Sequence, residues 1–210
     1  TGIVTNAIGA SPLQPVYEDG TYSDYTAYQA SWLSDNPVKS AKEITAITAS
    51  YRFIGTVFAE AALLPNLRLR SSFSTDYSNL NDDQFFAAIT TDAEAVGGKA
   101  LKGIYRSTTW INENMVTWQP ELKGASTLTA LGGFSMQDTR SNQTSLVGIG
   151  FPPGSGLQTI SSAASVQGRP VDEYPAYWGI ASFIGRVNYA YDSRYLLSIS
   201  ARYDGSSRFD

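Results

Sequence analysis

The chain has 210 residues and a net charge of −4; 16% of its residues are charged, 12% are aromatic, and it contains no Cys and no His. This length suffices for one domain with a sizeable core, while the charge balance offers no basic surface for nucleic acid. The missing residue types remove disulfide scaffolds, thiolate and imidazole metal sites, and Ser-His-Asp or Cys-His catalysis from this segment.

Thr1 is neither an initiator Met nor part of a signal segment, so the sequence is expected to be a piece of a longer chain. Residues 1–44 carry Gly9, Pro12, Pro15, Gly20 and the run Asp35-Asn36-Pro37. These are turn and breaker signals, and they predict an extracellular-type loop or strand lead-in. From residue 45 to 210 the pattern changes to alternation of apolar and polar positions. It predicts six antiparallel strands in three hairpins, at 45–63, 67–77, 110–119, 127–137, 177–191 and 195–204. A short helix at 83–89 is expected inside one connection. No apolar run approaches the ~18 residues of a membrane-crossing helix.

Three of the strands alternate cleanly. In the second, Leu67, Leu69, Ser71, Phe73, Thr75 and Tyr77 share one face, and Arg68, Arg70, Ser72, Ser74 and Asp76 the other. In the fifth, Phe183, Val187, Tyr189 and Tyr191 oppose Ser182, Arg186 and Asn188. In the sixth, Tyr195, Leu197, Ile199 and Tyr203 oppose Ser198, Ser200, Arg202 and Asp204. Every charge in these strands falls on one side.

Connections alternate too: short at 64–66, around Lys123-Gly124 and at 192–194, long at 78–109 and 138–176. Short turns on one rim and long loops on the other is how outer-membrane barrels are built. A soluble antiparallel sheet explains the alternation equally well, but explains less well such long strands and such long connections. An unclosed sheet in lipid leaves edge N–H and C=O groups unpaired, so six strands form an incomplete barrel that further strands must close.

The stretch SFIGRVNYAYDSRYLLSISARYDGSSRF, residues 182–209, resembles the signature hairpin of the SusC/RagA family. Its matching parts are Gly185-Arg186-Val187-Asn188-Tyr189, Tyr195-Leu196-Leu197 and Asp204-Gly205-Ser206-Ser207-Arg208-Phe209. Pro15-Val16-Tyr17 with Asp19-Gly20-Thr21-Tyr22, the pair Asn36-Pro37, and Gly150-Phe151-Pro152 are similar to further family elements. The pattern departs at Asp210, where the family commonly has glycine, and nothing familial is evident over 82–105. The resemblance implies an all-β, up-and-down transmembrane barrel segment of a TonB-dependent outer-membrane importer of oligosaccharides or peptides, in a Gram-negative cell. It also implies a plug, coupling to TonB through a region outside this segment, and a SusD-like surface lipoprotein as lid. A soluble or surface-attached carbohydrate-binding module is the alternative from another class, and a plugless diffusion porin a third.

Candidate ligand or lumen residues are Arg68, Arg70, Arg186, Asn188, Arg202 and Asp204. An Arg facing lipid near the bilayer midplane costs about 2–4 kcal/mol, so these point inward, toward lumen carboxylates, a plug or a ligand. Trp118, Tyr189, Tyr191 and Tyr195 lie near short turns, where amphipathic rings suit the membrane interface. Asp82-Asp83 and Asp19 with Asp24 lack the ligand spacing of a calcium loop, and Asp172-Glu173 shows no glycosidase pattern. Neither a cofactor, a metal nor an enzymatic activity is expected.

Overall fold

The computed structural model describes residues 3–25, 35–169 and 176–209. In chain order the elements are α1 (Ile3–Gly9), the small hairpin β1 (Tyr17–Glu18) and β2 (Thr21–Tyr22), and α2 (Pro37–Glu43). Strands β3 (Ile44–Leu64), β4 (Leu67–Phe86), β5 (Lys99–Trp118), β6 (Ser126–Ile149), β7 (Ser165–Arg169), β8 (Ala176–Tyr191) and β9 (Tyr195–Ser206) follow. Single 3₁₀ turns sit at Glu94–Val96 and Ile160–Ser162. The large sheet runs β3-β4-β5-β6-β8-β9, with β7 paired to β6 off this path. All six expected strands are therefore present, in the expected neighbour order. Asp172, Glu173 and Asp210 lie outside the described residues.

Three strands extend well past the expected ends, and the reason is chemical. Beyond Tyr77, β4 continues through Ser78-Asn79-Leu80-Asn81-Asp82-Asp83-Gln84, polar on both faces, so alternation no longer marks it as a strand. The helix expected at 83–89 does not form: Asp83 and Phe85 complete β4, where Asp83 pairs with Lys102 at 2.7 Å and Phe85 meets Phe151 edge-on. Likewise β5 begins at Lys99 and β6 reaches Ile149, which shortens both long connections. After Ser141, where pairing with β8 ends, β6 takes β7 as an antiparallel partner from Ser145 to Ile149.

The chain forms two compact units. One comprises Thr1–Ser50, Leu80–Tyr105 and Gln143–Glu173. Its lead-in turns at Asp19-Gly20, both at positive φ (49° and 80°), as a tight hairpin of this hand requires. Asn36, fully buried, accepts from the Val38 and Lys39 N–H groups to cap α2 and donates its amide to the Val16 and Ser23 carbonyls. Here too the connections are tied together: the Gly150 and Phe151 N–H groups bond the Gly98 and Gly97 carbonyls at 3.2 and 2.8 Å.

The other unit comprises Tyr51–Asn79, Arg106–Asn142 and Tyr174–Asp210. Its short turns are stitched side by side, with Gln119 N–H on the Asn66 carbonyl at 2.8 Å and Asp192 N–H on the Ala125 carbonyl at 2.9 Å. Among the described residues, the buried apolar side chains are Tyr25, Ala93, Ala100 and Phe151, all in the first unit. The strands of the second unit thus enclose no apolar core. A soluble sheet of this size needs one.

Candidate functional site

The second unit is a wall with two chemistries. On its apolar face Phe183 stands opposite Phe134 of β6 and Tyr203 of β9, and Val187 stands between Ala130 and Ile199. Phe183, Val187 and Ile199 remain 60%, 43% and 59% exposed, with no second layer over them among the described residues. Phe134 and Phe183 touch at 5.1 Å between ring centroids, and Phe73 stacks on Trp110 at 6.2 Å. The expected interface rings lie at the turn end of this face. Tyr191 and Tyr195 pair across the hairpin with centroids 6.5 Å apart, the Tyr189 hydroxyl bonds that of Ser126 at 3.0 Å, and Trp118 is half exposed. One polar strip interrupts the face: Ser71 Oγ donates to Asn114 Oδ1, and the Asn114 amide donates to Asn112 Oδ1, so these groups satisfy one another.

The opposite face carries the predicted arginines. Arg202 Nε donates to Asp204 at 2.7 Å, and its Nη2 reaches the buried Ser182 Oγ at 3.2 Å. Asn188 accepts from Ser198 Oγ at 2.7 Å, in register with Thr129 on the other side. Arg186 lies between Leu131 and Ser200. Neither Arg186 nor Arg68 has an ion pair with a described residue. Arg70 lays its guanidinium over the Phe58 ring at 4.5 Å, a cation–π contact. The residues do not converge on one pocket; they are spread along three strands of the polar face, β4, β8 and β9.

No family model matches the chain. It is 31% identical over 208 residues to TonB-dependent receptor P26 of Formosa agariphila, a match covering 97% of this chain and 21% of that protein. TonB-dependent receptor P3 of the same organism is 27% identical over 212 residues, covering 99% and 20%. The structure of the RagAB peptide transporter superposes with a TM-score of 0.76 at 22% identity, across 91% of this chain and 21% of that one. The RagAB peptide importer in its "closed-closed" state gives 0.72 at 22% identity, across 90% and 21%. The chain is a barrel segment of a TonB-dependent receptor, with the fold of the matching part of the RagAB transporter. It spans about a fifth of the length of the relatives it matches.

Within this receptor segment the signature hairpin has a physical explanation. Asp204 faces Ser182 and neutralises Arg202; Gly205 pairs with Ala181 and Ser206 with Ile180. Ser207 then bonds Gly179 twice, N–H to carbonyl at 3.0 Å and Gly179 N–H to Ser207 Oγ at 2.9 Å. Arg208 closes the run by stacking on Trp178 at 4.9 Å. From Asp204 to Arg208, each residue of the block fastens the end of β9 to β8.

Other polar-face partners were not singled out from sequence. Arg52 makes a bidentate pair with Asp76 (2.9 and 2.6 Å), and Ser72 reaches Glu113 at 3.4 Å. The signal was blurred because the polar positions of β3 also include Ile54 and Phe58, which hides its alternation. Asp82 and Asp83 diverge, Asp82 to Thr48 and Gln84, Asp83 to Lys102, so they do not share a cation site.

Proposed function

We propose that the whole receptor imports a bulky nutrient, oligosaccharide or peptide, across the outer membrane of a Gram-negative cell, and that this segment is wall and conduit without enzymatic activity. The observation carrying this reading is the segregation on β8 and β9: Phe183, Val187 and Ile199 exposed on one side, Arg186, Asn188 and Arg202 on the other. In lipid that arrangement puts grease outward and leaves the arginines a wet lumen. Tyr191, Tyr195 and Trp118 then serve as interface anchors. Arg68 and Arg186, lacking ion-pair partners among the described residues, are the lumen cations available to a plug carboxylate or to passing cargo. Energy from TonB and a SusD-like lid belong to the same proposal; the matches to TonB-dependent receptors and to the RagAB structure support them.

The test is uptake. Cells carrying the whole receptor are given labelled oligosaccharide and peptide pools, with TonB intact or inactivated, and the receptor is fractionated. TonB-dependent accumulation and a receptor that leaves the membrane only with detergent are expected. A receptor recovered in the soluble fraction, or uptake indifferent to TonB, refutes the proposal. Arg186→Leu reports on the lumen separately: unchanged uptake with unchanged assembly removes its role.

A further inference from the structure

The first unit holds a cleft of about 470 Å³ that the conduit reading leaves unused. Its floor is the face of β3, β4 and β5 bearing Ile47, Phe85, Asp83 and Lys102, and its roof is the 3₁₀ turn with Thr159, Ile160 and Ser161. Asp82, bonded to Thr48, projects from the other side of β4.

The roof is anchored, which makes the cleft a built feature. At Gly148 a β-carbon would meet Ala163 Cβ at 2.9 Å and Ile160 Cγ1 at 3.0 Å, so the turn rests on bare backbone. Ala164 N–H bonds the Gly150 carbonyl at 2.7 Å, closing the loop on itself. Phe151, from the Gly150-Phe151-Pro152 element, packs edge-on against Phe85 and lies over Gly98, whose φ of 95° disfavours a side chain and whose β-carbon would stand 3.3 Å from the Phe151 ring.

Cleft chemistry narrows the occupant. Asp83 and Lys102 pair at 2.7 Å and cancel each other's charge, leaving a charged ligand no net attraction. Together they still present an acceptor beside a donor, and the Thr159 and Ser161 hydroxyls, bonded to each other at 3.3 Å, keep lone pairs with which to accept. Vicinal sugar hydroxyls, donor and acceptor at once, match that set, and the C–H face of a sugar ring matches Ile47 and Ile160. An acyl chain would bury the ion pair without replacing its water, which is costly. We propose that this cleft binds a neutral saccharide, either free or as the head group of a membrane glycolipid.

Saturation-transfer NMR on the whole receptor tests it, in lauryldimethylamine oxide so that no sugar-headed detergent competes. The probes are cellotriose, mannotriose and, as peptide counterpart, trialanine; nanodiscs with and without digalactosyl diacylglycerol supply the lipid arm. Transfer from at least one saccharide probe is expected. It should weaken by about tenfold or more in Asp83→Ala/Lys102→Ala, which keeps net charge, and in Ile47→Trp, which fills the space from the floor and leaves the roof's anchors intact. Binding seen only with glycolipid discs, and lost in the same variants, identifies the lipid as the source and upholds the site. No transfer with any saccharide probe, transfer undiminished in both variants, or equal transfer with trialanine overturns it. Because cargo uptake is not read, failure here leaves the import proposal standing, and the reverse also holds.

Discussion

Substituting Val187 by Arg isolates the two-faced wall in one residue. Val187 lies four positions from Tyr191, the last residue of β8 before the tight turn. At about 3.3 Å per residue that is roughly 13 Å along the strand. With a strand tilt near 40° it is about 10 Å of depth, close to the middle of an apolar band about 25 Å tall. There Val187→Arg should destabilise the receptor by about 2–4 kcal/mol. Asn188→Arg, one residue away at nearly the same depth, turns to the polar face and forfeits only the Ser198 bond, worth about 1 kcal/mol. Guanidinium titration of the whole receptor in lipid vesicles reads both. Equal losses, or a larger loss for Asn188→Arg, would refute the assignment of faces.

Asn36→Ala should cost about 1–2 kcal/mol through the α2 cap alone, and more through the lost amide bonds to the Val16 and Ser23 carbonyls, of which Val16 keeps the Ser23 N–H. Limited proteolysis at the lead-in hairpin should become faster, with Asn36→Asp, which keeps the cap acceptor, intermediate. A β-carbon at Gly133 would stand 2.1 Å from Met115 Sδ and 3.0 Å from the Asn114 carbonyl oxygen. Gly133→Ala is therefore expected to lose about 1–3 kcal/mol. Adding Met115→Ala should recover part of it in the same titration. In the lead-in, burial and a bond to Glu43 push the Tyr22 hydroxyl above the ordinary 10.0, and the Tyr17 hydroxyl holds Lys42 above 10.5. Both values are raised, so the contribution of this clip is complete below pH 10 and disappears as pH climbs through the shifted values. Ultraviolet tyrosine titration should show Tyr22 ionising late, and Glu43→Gln should bring it earlier.

What sequence made legible was whatever lies between unlike environments. β8 and β9 were placed to within one or two residues because apolar and polar positions alternate along them, at every step from Leu197 to Asp204 in β9. The far ends of β4, β5 and β6 were missed because water on both sides erases that contrast, as in the run from Ser78 to Gln84. β7 escaped for another reason: its five residues depend on finding β6 vacant beyond Ser141, a tertiary fact. The arginine side was readable from charge alone. Its partnerships, such as Arg70 over Phe58, depend on cross-strand geometry that no single strand encodes.

The backbone bonds from Gln119 to Asn66 and from Asp192 to Ala125 carry a consequence for assembly. A hairpin that slips by one residue turns its whole side-chain set inside out, exposing arginines to acyl chains. Each bend instead latches to the bend or strand end before it, so an arriving hairpin is indexed at its base and zips upward from a single correct starting rung. Insertions at the opposite ends leave that index untouched, which frees those ends to diversify while the wall keeps its orientation.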